Sequence, residues 1–215
     1  MPAGLLLAAG AGRRMGGPKA LVELDGVPLV RRALDVLRAG GCAPLVVVIG
    51  ASADAVRTVL PPDAIAVEAA GWAEGMGASL RAGLAALAGD PPDRGPAVDD
   101  PFADVDAALV QLVDLPGVTA EAVRRLGAAA HGPAVLARAA YDGRAGHPVL
   151  LGRDHWDAVR ASSVGDAGAR GYLAGNPGVA LVECGDVADP DDVDTPDQLA
   201  AVTPRDRRPP RASSG

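Results

Sequence analysis

Apolar residues follow two patterns along this chain. In the first they form short continuous runs, which is typical of strands covered on both faces in a mostly parallel sheet. These runs occupy residues 3–9, 44–50, 107–113 and 133–138. In the second they recur every three or four positions, which predicts helices at 28–38, 51–60 and 77–87. Strands that alternate with helices favour right-handed crossovers, so the predicted fold is a three-layer, Rossmann-like α/β domain.

Two segments lack either pattern. Residues 89–106 and 204–215 are rich in Pro, Gly, Asp or Arg and show no periodicity, as is typical of solvated chain. We therefore predict a single domain over residues 1–203 with a flexible insertion at 89–106, followed by a disordered tail at 204–215.

Composition narrows the possible partners. The 215 residues are 49% hydrophobic but only 2% aromatic, and the net charge is −7. A chain with few stacking rings and an acidic balance is a poor nucleic-acid binder. The apolar runs are far shorter than the roughly 20 residues of a membrane-spanning helix, and the two cysteines, Cys42 and Cys184, lie far apart. We expect a cytoplasmic protein that binds neither nucleic acid nor membrane.

The first predicted strand leads into a glycine-rich loop, LLLAAGAGRRMGGPK at residues 5–19. The dinucleotide pattern G-x-G-x-x-G fails because Met15 replaces its third glycine, and the P-loop pattern fails because Pro18 precedes Lys19 and no Ser or Thr follows. The loop still places accessible backbone amides beside two arginines and a lysine, which suits a chain of phosphates. The alternative is a tight turn with solvated basic side chains.

Six blocks of the chain together carry a family resemblance. LAAGAGRRMGGPKAL resembles the signature of the MobA-like nucleotidyltransferases, which include molybdenum cofactor cytidylyltransferases and molybdopterin-guanine dinucleotide synthases. Five further blocks are similar to later family motifs in the same order: GMGASLRAGL at 75–84, LVQLVDLPGVT at 109–119, GRAGHPVLLG at 143–152, GDAGARGYL at 165–173 and DVDTPDQL at 192–199. The resemblance covers residues 3–202 and implies a nucleotidyltransferase fold.

The resemblance also implies a set of site residues. The nucleotide would contact Ala8, Ala9, Gly10, Gly12, Arg14, Lys19, Gly77, Ser79 and Asp114. Catalysis would rest on Arg14, Lys19 and Asp114, and Mg²⁺ would be held by Asp114 and Asp194. The acceptor would contact Gly146, His147, Asp166 and Arg170. Gly12 stands where the family usually has Ser, so one hydroxyl donor is absent.

Several of these residues also have ordinary structural interpretations. Asp114 directly follows a predicted strand, where ligands of open α/β folds bind, but an Asp before Leu-Pro also forms turns. Asp194, Ser79 and Asp166 fit helix N-caps, and His147, which precedes an apolar strand, fits a structural hydrogen bonder.

The expected activity is transfer of CMP from CTP to the phosphate of molybdopterin with release of pyrophosphate, followed by handover of the product to a molybdenum hydroxylase. The sequence LAAG at residues 7–10 favours CTP, since cytidylyl relatives tend to carry it, whereas Leu115 matches neither nucleotide signature. Guanylyl transfer from GTP, or transfer to another phosphate, remains an alternative. Two alternatives of other classes are an NAD(P)H-dependent oxidoreductase of the nicotine blue type and a cofactor-binding chaperone.

Overall fold

The computed structural model describes residues 1–89 and 101–202. The predicted flexibility of 90–100 and the predicted tail at 204–215 lie outside these residues. The described strands are β1 Ala3–Leu7, β2 Glu23–Leu24, β3 Val27–Pro28, β4 Leu45–Ile49, β5 Ala64–Glu68, β6 Ala107–Leu112, β7 Leu136–Tyr141, β8 Arg144–Gly152 and β9 Ala180–Glu183. The described helices are α1 Leu29–Ala39, α2 Ala53–Val59, α3 Met76–Ala88, α4 Ala120–Gly127, α5 Trp156–Ser162, α6 Arg170–Ala174 and α7 Pro196–Ala201.

Seven of the described strands form one mixed sheet in the order β5-β4-β1-β6-β8-β7-β9. The central strand β1 pairs in parallel with both neighbours, Leu5 lying opposite Val46 and Val110. Strand β8 runs antiparallel to β6 and β7, and the other strands of this sheet share one direction. The predicted α/β fold with a mostly parallel sheet is confirmed.

Helices cover both faces of the sheet and create two cores. On one face α1 packs against β1 and β4 with side chains such as Leu34, and α4 packs against α1, β7 and β8 with side chains such as Val123. On the other face α3 presents Leu80 and Leu84. A Cβ on Gly83 would lie 2.6 Å from Leu5 Cδ1, so this glycine lets α3 approach β1 closely.

Residues 101–106 differ from the predicted flexible insertion. Phe102 is 1% exposed and Val105 is 4% exposed, and both belong to the core under α3. The Arg153 guanidinium donates hydrogen bonds to the carbonyls of Val105 (2.8 Å) and Phe102 (2.9 Å) and lies over the Trp156 ring. The described end of the segment is therefore fixed to the sheet. No helix among residues 1–89 and 101–202 is long and apolar enough to cross a membrane.

Candidate active site

The glycine-rich loop joins β1 to the first short helical turn at Arg13–Met15. Its first residues are tied to the sheet, since Ala8 N donates to Val48 O at 2.9 Å and Ala51 N donates to Ala9 O at 3.0 Å. Gly12 adopts a φ of +56°, and a Cβ there would lie 2.0 Å from Gly17 O. The loop therefore closes on itself at Gly12, and no other residue type fits this conformation without movement of the backbone.

Four charged side chains meet beside this loop. Lys19 Nζ donates to Asp114 Oδ2 at 2.8 Å and to Asp194 Oδ1, and Arg14 donates to Asp194 Oδ2 at 3.2 Å. Asp114 follows β6 at the carboxyl edge of the sheet, next to the end of β1. The cluster thus joins Lys19 to carboxylates that lie 95 and 175 positions further along the chain.

The segment that carries Asp194 is held against the same edge. Val193 N donates to Asp114 O at 2.9 Å. Helix α7 is capped by Thr195, whose hydroxyl accepts from Gln198 N in a capping box. The N-cap interpretation of Asp194 is therefore wrong, because its neighbour caps the helix and its own carboxylate binds the two cations.

The charges in this cluster shift one another's protonation equilibria. Burial disfavours the charged form of Lys19, but the hydrogen bonds and charges of Asp114 and Asp194 outweigh it and raise the pKa of the ammonium. The hydrogen bond and charge of Lys19, with Arg14 adding to them, lower the pKa of Asp194. Lys19 is therefore a cation and Asp194 an anion at neutral pH.

The residues fit a divalent cation. Carboxylate oxygens of Asp114, Asp192 and Asp194 lie within 4.8 Å of one another. Hard oxygen donors of this kind are the ligands that Mg²⁺ and Mn²⁺ take in proteins. Asp192 is absent from the residues that sequence reasoning selected; its only signal is its position two residues before Asp194 in the same block.

A cavity of about 400 Å³ opens between the glycine loop and the start of α3. Six of the predicted nucleotide contacts line it, namely Ala9, Gly10, Gly12, Lys19, Ser79 and Asp114. Arg13 and Trp72 also line it. Three predicted contacts do not: Ala8 is buried in the core, Gly77 packs against the carbonyls of Ser163 and Gly165, and Arg14 projects to the surface with its side chain 78% exposed.

The start of α3 shapes the far side of this cavity. Gly75 holds the N-cap position with a φ of +121°, so Ser79 lies within the helix and the alternative interpretation of Ser79 as a helix cap is wrong. Met76 N donates to Asp166 Oδ1 at 3.4 Å. Asp166, predicted to contact the acceptor, lines the cavity beside the glycine loop.

A second cavity of about 400 Å³ adjoins the first and shares Leu7 and Met76 with it. Of the predicted acceptor contacts, Gly146, His147 and Arg170 line it. It also contains Arg138, which sequence reasoning missed because a lone arginine in a short apolar strand carries no motif.

His147 lies on β8, and its backbone carbonyl accepts a hydrogen bond from a neighbouring tyrosine. Tyr141 donates its hydroxyl hydrogen bond to His147 O at 2.6 Å. Although the residue retains slight exposure, the ring Nδ1 is buried without a partner. Burial and the Arg138 charge lower the pKa of His147 to about 4 against opposing contributions from Val110 and Asp114. The ring is therefore neutral at pH 7.

A glycine-rich loop at the carboxyl edge of an α/β sheet, with two cations, three carboxylates and two adjoining cavities, defines an enzyme class that handles phosphates. The chain belongs to the family described as the MobA-like NTP transferase domain, whose model matches residues 4–181.

Two curated relatives are similar over nearly the whole chain. Nicotine blue oxidoreductase of Paenarthrobacter nicotinovorans is 39% identical, covering 91% of this chain and 93% of the relative. Molybdenum cofactor guanylyltransferase of Rhodobacter capsulatus is 34% identical, and the match covers 95% of this chain and 92% of the relative.

Solved structures are similar as well. The crystal structure of a homologue of Mycobacterium tuberculosis Rv0371c, from Mycobacterium sp. strain JC1, is 30% identical with a TM-score of 0.72, covering 92% of this chain and 94% of that one. Rv0371c of M. tuberculosis has been crystallised in complex with manganese; it is 27% identical with a TM-score of 0.68, covering 93% and 98%.

Proposed function

We propose that this protein is a magnesium-dependent cytidylyltransferase that transfers CMP from CTP to the phosphate of molybdopterin. An acceptor phosphate oxygen attacks the α-phosphorus, the bond between that phosphorus and the oxygen bridging to the β-phosphate breaks, and pyrophosphate leaves. The product would then pass to a molybdenum hydroxylase.

The observation that carries the proposal is the cluster of Arg14, Lys19, Asp114 and Asp194 beside the glycine loop. Lys19, which lines the first cavity, and Arg14, which reaches the cluster from the surface, would neutralise the charge that develops on the leaving pyrophosphate. Backbone amides of the loop would add further donors. The first cavity would take the nucleotide and the adjoining one the acceptor, which supports side-by-side positioning of the two substrates.

Mg²⁺, held by Asp114 and Asp194 with Asp192 beside them, would supply positive charge to the phosphate oxygens when bound. The protein's own part is to place those carboxylates at the sheet edge. Val193, hydrogen-bonded to Asp114 O, links the two ligand segments.

Ala9 supports CTP as the nucleotide. It is 4% exposed and lines the first cavity together with Trp72. Its methyl group occupies space that glycine at this position would leave to a larger base. Guanylyl transfer stays the alternative within this chemistry, as the 34% identity to a guanylyltransferase supports it.

Calorimetric titration with CTP, GTP, ATP and NADPH, each with and without Mg²⁺, tests the proposal. We expect CTP alone to bind, in a Mg²⁺-dependent way that Asp114→Ala weakens at least about tenfold, since a lost hydrogen bond to a charged group costs roughly 1.5–3 kcal/mol. Pyrophosphate release on addition of molybdopterin is the matching activity assay. Preferential binding of GTP would replace CMP by GMP in the proposal.

An oxidoreductase is the second candidate, because the 39% identical relative is a nicotine blue oxidoreductase. Binding of NADPH without binding of any triphosphate would favour it and overturn the transferase proposal. A cofactor-binding chaperone would bind molybdopterin equally in the wild type and in Asp114→Ala and release no pyrophosphate in either.

A further inference from the structure

The second cavity holds two arginines in largely apolar surroundings. Arg138 projects from β7 and Arg170 begins α6, and both line the cavity together with Leu80, Val149 and Leu151. Among residues 1–89 and 101–202, neither arginine has a carboxylate within ion-pair distance; the Arg138 contact is a long hydrogen bond from Nε to Gly146 O, 3.4 Å.

Their mutual electrostatics favour an anion between them. Burial and the neighbouring charge of Arg170 both lower the pKa of Arg138. The repulsion between the partly buried guanidinium group of Arg138 and the exposed one of Arg170 raises the free energy of the empty cavity, and an anion that bridges them removes this penalty. Arginine is also the residue whose planar donors match phosphate and carboxylate oxygens.

His147 also lines this cavity and carries a buried polar atom. A hydrogen bond with the Val110 backbone favours the protonated form of the ring, as expected when the ring N–H donates to that carbonyl. Nδ1 then carries a lone pair, and it is buried without a partner. A buried acceptor of this kind is satisfied by an N–H or O–H of a ligand.

We propose that Arg138 and Arg170 form an anion-binding subsite and that His147 Nδ1 accepts a hydrogen bond from the same ligand. The ligand is a small molecule with one phosphate or carboxylate group on a largely apolar, ring-sized body that carries an N–H or O–H donor. This inference rests on the proposed function in identifying that ligand as the acceptor, and it adds Arg138 as a specificity-determining residue.

Calorimetric titrations with three pterins test the subsite: 6-hydroxymethylpterin monophosphate, the unphosphorylated alcohol and pterin-6-carboxylate. We expect the phosphate or the carboxylate to bind at least about tenfold more tightly than the alcohol, since each charge-assisted hydrogen bond is worth roughly 1.5–3 kcal/mol. The tighter of the two anions shows whether the subsite prefers a phosphate or a carboxylate.

Variants distinguish the contribution of the two arginines from that of His147. Arg138→Gln and Arg170→Gln each reduce the anion-to-alcohol ratio to below about threefold, while Arg138→Lys keeps part of it because the charge remains. His147→Phe weakens all three pterins by the same factor and leaves the ratio intact. Arg31→Gln is the matched control, because Arg31 lies on α1, on the opposite face of the sheet.

Thermal melting shows that each variant is folded. An unchanged ratio in folded Arg138→Gln overturns the subsite, as does equal binding of anion and alcohol by the wild type. CTP titration of the wild type separates the anion subsite from the transferase proposal. If CTP fails to bind while the anion-to-alcohol ratio for the pterins persists, the transferase proposal is contradicted and the subsite is not.

Discussion

Lys19 forms ion pairs with two of the carboxylates that make up the candidate metal site. Its ammonium hydrogen-bonds Asp114 and Asp194, so it competes with a divalent cation for their oxygens. The oxygens of a bound triphosphate would offer Lys19 another partner and so release the carboxylates. Nucleotide and metal are therefore expected to bind cooperatively, each favouring the other.

Removing that ammonium changes the affinities for the metal ion and for the nucleotide in opposite directions. We expect Lys19→Met to bind Mn²⁺ at least about tenfold more tightly without nucleotide, since a hydrogen bond to a charged group is worth roughly 1.5–3 kcal/mol, and to bind CTP more weakly. Electron paramagnetic resonance of free Mn²⁺ measures the first effect and calorimetry the second. Arg14→Met, whose side chain is 78% exposed, is the control with a smaller gain; unchanged Mn²⁺ affinity in Lys19→Met would contradict the competition.

His147 makes folding stability depend on pH. Its folded-state pKa of about 4 lies below the ordinary value of 6.5, so the unfolded chain takes up the proton first as pH falls, and stability is lost between about pH 6.5 and about pH 4. The loss attributable to this ring is about 3 kcal/mol at pH 4. Urea unfolding of the wild type and of His147→Gln at pH 7 and pH 4 measures this loss. We expect the unfolding free energy of the variant to fall by about 3 kcal/mol less than that of the wild type. Equal losses in the two proteins would refute the assignment to His147.

At the scale of elements, the glycine loop depends on one backbone position. Gly12 has a φ of +56°, and a Cβ added to it would lie only 2.0 Å from Gly17 O, so it tolerates no side chain in this conformation. We expect Gly12→Ala to lower the free energy of unfolding by about 1–3 kcal/mol and to weaken CTP binding at least about tenfold. Gly17→Ala is the control, as its Cβ would meet nothing within 4 Å; equal CTP affinity in the two variants would show that the loop can rearrange.

The interior strands of the sheet could be predicted from sequence, whereas its edge strands and helices α4 to α7 were not. Helices α1, α2 and α3 lie within two residues of their predicted positions, because each has one apolar face that packs on the sheet. Strands β5 and β9 were missed. They form the sheet's edges, where partial solvent exposure removes the continuous apolar run, as Leu181 at 53% exposure illustrates.

At the scale of the whole molecule, the topology brings together site residues that lie far apart along the sequence. The family signature was sufficient to select Lys19, Asp114 and Asp194, and the structure brings these three together. Asp192 and Arg138 were missed because their chemistry exists only through neighbours distant along the chain. Asp192 gains its role from Asp114, and Arg138 from Arg170 across the cavity.

The proposed nucleotide site joins β1, β6 and the segment before α7, so its occupation stabilises elements from both ends of the described chain. A ligand at 100 times its Kd adds about 2.7 kcal/mol to the free energy of unfolding, which for a domain of this size raises Tm by about 5–10 °C. We expect CTP with Mg²⁺ to produce this shift in the wild type and to produce little in Asp114→Asn, which keeps the size of the side chain and removes its charge. NADPH at the same concentration is the comparison ligand. A shift of equal size in Asp114→Asn would mean that CTP binds without the carboxylate cluster, and the transferase proposal would lose the observation that carries it.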